Sequence, residues 1–211
     1  MPNWVDTSIT ISGSEEEIAR FRAKASKPHP IDEGNGEIGL SEEEFSFWNF
    51  ISPPQEAILS GEYFGTNGWV EGEKKGDTTN NWYNWNNDNW NTKWDACDQR
   101  LDTDDPTQLT YYFQTAWSPA SPVFEAMVAQ HPELAFSIWW EEEQGFGEEL
   151  SGTAGELVIT KEWDIPASHA DYVEQDKEDN CPCSYDDNED DWFDDCPREN
   201  DPNQPEPDMV Y

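Results

Sequence analysis

Apolar and polar residues alternate near the start of the chain. Val5, Ile9 and Ile11 are apolar, and Asp6, Ser8, Thr10 and Ser12 lie between or beside them. A period of two describes a strand with one buried face. Gly13 ends the strand and the period then changes. Ser14 and Glu17 fit a capping box, and Glu15 to Glu17 suit the positive end of a helix dipole. Ile18, Phe21 and Ala25 fall on one helical face, Lys24 and Lys27 occupy the last turn, and Pro28 stops the helix.

Residues 28–80 read as an insertion of lower regularity. Glu33 to Gly39 is expected to be a loop, and 65–79, rich in glycine and polar residues, an exposed one. Between them Phe45, Phe47, Trp48, Phe50 and Ile51 form an aromatic cluster suited to covering an end of the core. Trp82, Trp85, Asn89 and Lys93 recur at helical spacing, although asparagine favours caps and turns. Trp94 to Leu101 is expected as the second strand, with a turn at Asp104-Asp105-Pro106.

The third strand is marked by Leu109, Tyr111, Phe113 and Trp117. Ser121 is expected to cap the second helix with Pro122 at its first position, and Val123, Phe124, Met127 and Val128 supply its apolar face. A fourth strand runs from Leu134 to about Glu142, with Phe136, Ile138 and Trp140 on one face. A glycine-rich connection, with a hairpin turn marked by Gly152 and Gly155, leads to an added C-terminal strand over Leu157 to Trp163.

This order predicts an α+β, ferredoxin-like βαββαβ domain over residues 1–163, an antiparallel sheet with two helices on one face. From Asp164 the composition shifts. Residues 164–211 hold 17 acidic against 2 basic residues and six prolines, as expected of an acidic, mostly disordered tail.

Charge changes the picture most. The chain has 47 Asp and Glu against 11 Lys and Arg, a net charge of −36. Residues 1–163 carry 30 acidic and 9 basic residues, a balance of −21, so the folded part is acidic in its own right. Such a surface repels nucleic-acid phosphates and anionic lipid heads, and attracts basic proteins and cations. Solubility alone is the plainer reading of the same acidity. No run approaches the ~20 apolar residues of a bilayer span. The start, Met1-Pro2-Asn3-Trp4, lacks the basic and apolar regions of a signal peptide, so a cytoplasmic location is expected.

Little in the sequence points to catalysis. His29 lies between prolines, His131 precedes Pro132, and His169 falls in the tail; none has a HExxH or triad context. Cys97 reads as a buried strand cysteine more readily than as a nucleophile. Gly145-Phe146-Gly147 reads as a strand connection, since Glu148-Glu149 would repel phosphate. Trp82, Trp85, Trp90 and Trp94 read as core packing; a stacking platform for bases or sugars is the alternative, and the segment has only Lys93 to support it. Cys181, Cys183, Cys196 and His169 are candidate ligands for a structural zinc, although the Cys-x-Cys spacing is tighter than the usual pair. Asp186, Asn188 and Asp190 begin like a calcium loop, but Asp191 and Pro197 stand where glycine and glutamate are required.

Four segments carry a resemblance. They are the Met-Pro-Asn-Trp start, Phe45-Ser46-Phe47-Trp48-Asn49-Phe50-Ile51 before Pro53-Pro54, Asn89-Trp90-Asn91-Thr92-Lys93-Trp94-Asp95, and Phe113-Gln114-Thr115-Ala116-Trp117-Ser118-Pro119. Together they resemble the YubB ferredoxin-like family over roughly residues 1–163. Asn91 departs from the glycine expected there. The resemblance implies a bacteriophage or mobile-element protein made inside a bacterium, and it carries over no catalytic or binding residue. The function expected is non-catalytic binding to a basic, DNA-gripping protein of the host or its defences. A small metal-binding accessory protein using the cysteine-containing tail is the second expectation.

Overall fold

The computed structural model of the chain describes residues 2–33, 37–65 and 81–165. Strand β1 (Trp4–Ser12) is followed by helix α1 (Glu15–Ala25) and two short strands, β2 (Pro30–Asp32) and β3 (Ile38–Leu40). A 3-10 turn (Phe47–Asn49), α2 (Gln55–Leu59) and α3 (Trp82–Trp90) complete the insertion. Then come β4 (Cys97–Asp105), β5 (Gln108–Ala116), α4 (Ser121–Gln130), β6 (Ala135–Glu142), β7 (Gly147–Thr153) and β8 (Glu156–Trp163). The large sheet has the order β4-β5-β1-β6-β7-β8, and β1 pairs antiparallel with both β5 and β6. With the insertion set aside, β1-α1-β4-β5-α4-β6 is the expected ferredoxin-like βαββαβ core.

The period-two pattern decides which face is covered. Val5, Ile9 and Ile11 of β1 share the buried face with Leu109, Tyr111 and Phe113 of β5 and Phe136, Ile138 and Trp140 of β6. Helix α1 buries Ile18, Phe21 and Ala25 against it, and α4 buries Val123, Phe124, Met127 and Val128. Phe21 meets Phe50 at 5.4 Å, Phe136 at 5.9 Å and His131 at 5.1 Å between ring centroids. No helix packs on the opposite face among the described residues, and most side chains there are half-buried or exposed.

The aromatic cluster of the insertion lies on the core. The Phe45 ring stacks on Phe113 at 5.2 Å and meets Tyr111 at 5.1 Å. Phe47 meets Phe113 and Trp90 edge-on. The insertion therefore covers the β5 region of the sheet beside α1.

Several expectations are corrected. Ile38 and Gly39, expected in a loop, belong to strand β3 and pair with β2, Gly39 lying opposite Ile31. The second strand starts at Cys97, not Trp94, because the chain over 91–95 bends and the Asp95 side chain takes the Ala96 N–H at the strand entrance. Trp117 leaves the alternation: its φ is 72°, it is exposed, and its N–H donates to the Asn3 carbonyl. Ser121 is the first helical residue and not the cap. Ala120 takes that position, fully buried, where a small apolar side chain fits and a polar one would lose its water. Ser14 accepts the Glu17 N–H at 3.3 Å, but the Glu17 carboxylate turns to Arg20, so only half of the capping box forms.

Two strands follow β6, not one. The sequence Gly-Glu-Glu-Leu-Ser-Gly-Thr of β7 lacks an apolar alternation, yet Leu150 is buried and the strand pairs with β6 throughout. Gly152 is required by packing: a Cβ there would lie 2.6 Å from a Val128 methyl of α4. Ala154 and Gly155, both at positive φ, form the tight turn to β8. One compact unit ends at Glu162. The expected disordered tail falls on residues outside the described ones.

Two outcomes follow from this packing. Phe45→Ala removes a fully buried ring that joins the insertion to β5, and equilibrium urea unfolding is expected to show a loss of about 3–5 kcal/mol. His131 packs on Phe21, and its Nε2 is buried without a partner among the described residues. Burial, then the neighbouring Lys24 charge, holds its pKa below the usual value of 6.5. The unfolded chain takes up this proton first. The stabilisation is therefore complete above pH 6.5 and is lost as pH falls through that value toward the folded pKa. Urea unfolding from about pH 7.5 down to about pH 5 is expected to show a smaller loss in His131→Gln than in the unsubstituted chain.

Candidate functional site

A cavity of about 410 Å³ lies among the residues of the insertion and the turn after α3. Its walls are aromatic, including Trp48, Tyr63, Trp82, Trp90 and Trp94. Its polar lining includes His29, Glu43 and Asp95, with no lysine or arginine among the described residues.

Each polar group is placed by a different segment. His29 precedes β2, where its ring stacks on Trp48 at 5.1 Å. Ser41, just after β3, accepts the His29 backbone N–H at 3.0 Å, and its Oγ lies 2.8 Å from His29 Nδ1. The β2–β3 hairpin thus fixes the ring. Asp95 sits in the bend after α3. Its Oδ1 accepts the N–H groups of Phe47 and Ala96, each at 2.7 Å, and its Oδ2 accepts the Ser46 hydroxyl at 2.6 Å. Glu43 is the solvent-facing member. One potential ligand atom from each of His29, Glu43 and Asp95 lies within 4.8 Å of the other two, so these residues can hold a metal ion.

The electrostatics follow from crowding acids where water is scarce. Loss of water around the Glu43 carboxyl, together with the Asp95 charge, pushes it up to about 7. Burial raises Asp95 above the usual range, against the pull of its hydrogen bonds from Ser46, Phe47 and Ala96 and of nearby His29. Burial lowers His29, while Asp95 and the Lys27 backbone oppose that shift. Tyr63, buried and close to Asp95, is raised despite donating to Asn86 Oδ1 at 2.8 Å. Asn86 in turn donates to the Lys93 carbonyl at 2.9 Å, which fastens the end of α3 to the cavity wall.

The tryptophan set divides. Trp85 and Trp90 are buried in the core, and the Trp90 indole donates to the Ile51 carbonyl. Trp82, 37% exposed, and half-buried Trp94 face the cavity. Lys93 lies 4.2 Å from the Trp94 ring centroid and 5.3 Å from that of Trp117. The four rings therefore do not form one platform. Asn91 caps α3 in the left-handed region, φ 64°, a position that asparagine tolerates in place of glycine.

Residues 89–181 match a family model. They are similar to the ferredoxin-like domain in Api92-like protein. A crystal structure of protein api92 from Yersinia pseudotuberculosis is 9% identical and covers 79% of this chain and 99% of that one, with a TM-score of 0.43. A search of curated proteins finds no match. None of these comparisons bears on the YubB resemblance or on a bacteriophage or plasmid origin. No helix among the described residues is long and apolar enough to cross a membrane.

Sequence reading and structure differ over the site. Cys181, Cys183, Cys196 and His169, the expected zinc ligands, lie outside the described residues. His29, set aside as a histidine between prolines, is the buried centre of the cluster. Its partners come from separate segments, so no local spacing announces them. Asp95 closes one of the motifs that carried the family resemblance, and that was the available signal. Cys97 is half-buried, not buried, because it opens the edge strand β4. Its thiol donates to the Asp95 carbonyl, and burial with Asp98, Asp95 and Glu43 pushes it up to about 11.

A thiol shifted from 9.0 to about 11 has roughly 100-fold less thiolate near pH 8. Peptide mapping after iodoacetamide treatment is expected to show Cys97 alkylated at least that much more slowly in the folded chain than in urea. Equal rates would contradict this account of the thiol.

Proposed function

We propose that the chain is a non-catalytic, acidic binding protein whose open sheet face docks on a basic protein. The observation that carries this reading is the disposition of charge across that face. Strand register sets Tyr112, Ser8, Trp139 and Glu149 in one row across β5, β1, β6 and β7. Gln114, Asp6 and Glu141 form the next row. Trp139 is 36% exposed, and Asp98 and Asp102 of β4 are exposed at the edge. An aromatic anchor ringed by carboxylates suits an interface with a cationic protein.

The cations supply little compensation. Arg20 pairs with Glu16 and Glu17, and Arg22 pairs with Asp104. Lys93 lies over the Trp94 ring, and Arg100, 4.6 Å from the Tyr112 centroid, sets one cation beside the carboxylates of this face. The acidic surplus is left to act outward. Carboxylates arrayed on a protein can imitate a phosphate field, so the partner is a basic protein that grips DNA, and the chain competes with DNA for it. On the four motif segments alone, the reading extends to a bacteriophage or mobile-element protein acting against a host or defence protein in the bacterial cytoplasm.

Affinity capture from a bacterial lysate at rising salt, with duplex DNA as competitor, tests the reading. Capture is expected to weaken steeply with salt and to be displaced by DNA. Trp139→Ala is expected to weaken it by ~2 kcal/mol if the ring is a central anchor. A partner held without salt sensitivity, undisturbed by DNA and by Trp139→Ala, contradicts the reading.

A further inference from the structure

We propose that His29, Glu43 and Asp95 form a binding site for one divalent cation of the zinc class that requires no cysteine ligand. Three features converge. The donor set is mixed, one imidazole and two carboxylates, which suits a borderline cation. The ligand atoms approach one another from three segments to within 4.8 Å. Among the described residues, the cavity that they line has no lysine or arginine to neutralise its carboxylates.

The geometry is that of an open site. An ion held at about 2.0–2.2 Å from each ligand brings the ligand atoms to roughly 3–3.5 Å from one another. The closure needed is small, and Glu43, at the solvent edge, has the freedom to supply it. The other two ligands are already oriented. Ser41 holds the His29 ring through Nδ1, at 2.8 Å, and the Trp48 ring stacks on it, so the imidazole is fixed at the cluster. Ser46 holds Asp95 Oδ2, and Phe47 and Ala96 together occupy Oδ1, so Oδ2 keeps a lone pair for coordination. Such outer hydrogen bonds fix ligand orientation in metal sites. With three protein ligands, further coordination positions face the 410 Å³ cavity and are available to water or to a small oxygen ligand.

The experiment uses the full chain, stripped with chelator and titrated with Zn2+ alone by calorimetry, with bound metal counted after dialysis. A chain carrying Cys181→Ser, Cys183→Ser and Cys196→Ser is titrated in parallel. That triple variant is expected to retain one equivalent of Zn2+. Added to it, Glu43→Gln is expected to weaken this equivalent at least 10-fold, and Ser46→Ala by about 10–100-fold through loss of the Asp95 orienting bond. Glu43 is solvent-facing, so its variant keeps the fold and decides the matter even where Ser46→Ala does not; thermal melts of the metal-free proteins check this. Failure of the triple variant to hold Zn2+, or equal affinity with and without Glu43→Gln, overturns the proposal.

Discussion

The carboxylate of Asp95 fastens the insertion to the ferredoxin-like core. It takes the Ser46 hydroxyl and the Phe47 N–H on one side and the Ala96 N–H, at the entrance to β4, on the other. A carboxylate drawn out of water is costly unless its oxygens find donors, and charge-assisted bonds from three donors offset that cost. With residues 46 and 47 held there, Phe45 and Phe47 lie on Phe113 and cover β5. Burial raises Glu43, Tyr63 and Cys97, and the Asp95 charge adds to each of these shifts; it also opposes the lowering of His29 by burial. The cavity and the packing of the insertion thus share one cause.

The two proposed features occupy different surfaces. The cavity belongs to the insertion and the turn after α3, and aromatic rings wall its imidazole and two carboxylates. The open face belongs to the ferredoxin-like strands themselves, where acids and exposed rings stand in register. Neither feature requires the other. The sheet face proposed for docking and the cavity proposed for a cation can therefore be tested one without the other.

The core was legible because burial there follows a simple period. Val5, Ile9 and Ile11, or Phe136, Ile138 and Trp140, declare a half-buried strand without reference to any other segment. Strand β7 was not legible, since its shape depends on Gly152 admitting Val128 from α4, a contact between distant parts of the chain. The same holds at Ala120, where burial overrode the expected Ser121 cap. The cavity was the least legible feature. His29, Glu43 and Asp95 carry no shared spacing, and only the β2–β3 hairpin and the bend after α3 bring them together. The abundance of carboxylates hid the two that matter.

Amide hydrogen exchange across the chain, with and without Asp95→Ala, tests the account most directly. In the unsubstituted chain the Phe47 and Ala96 amides, both bonded to Asp95 Oδ1, should be strongly protected. Asp95→Ala should release residues 45–50 to fast exchange while the paired amides of β1 and β5 keep most of their protection. Unchanged protection over 45–50 in that variant would show that the insertion is held by its aromatic packing alone and would contradict the role given to Asp95.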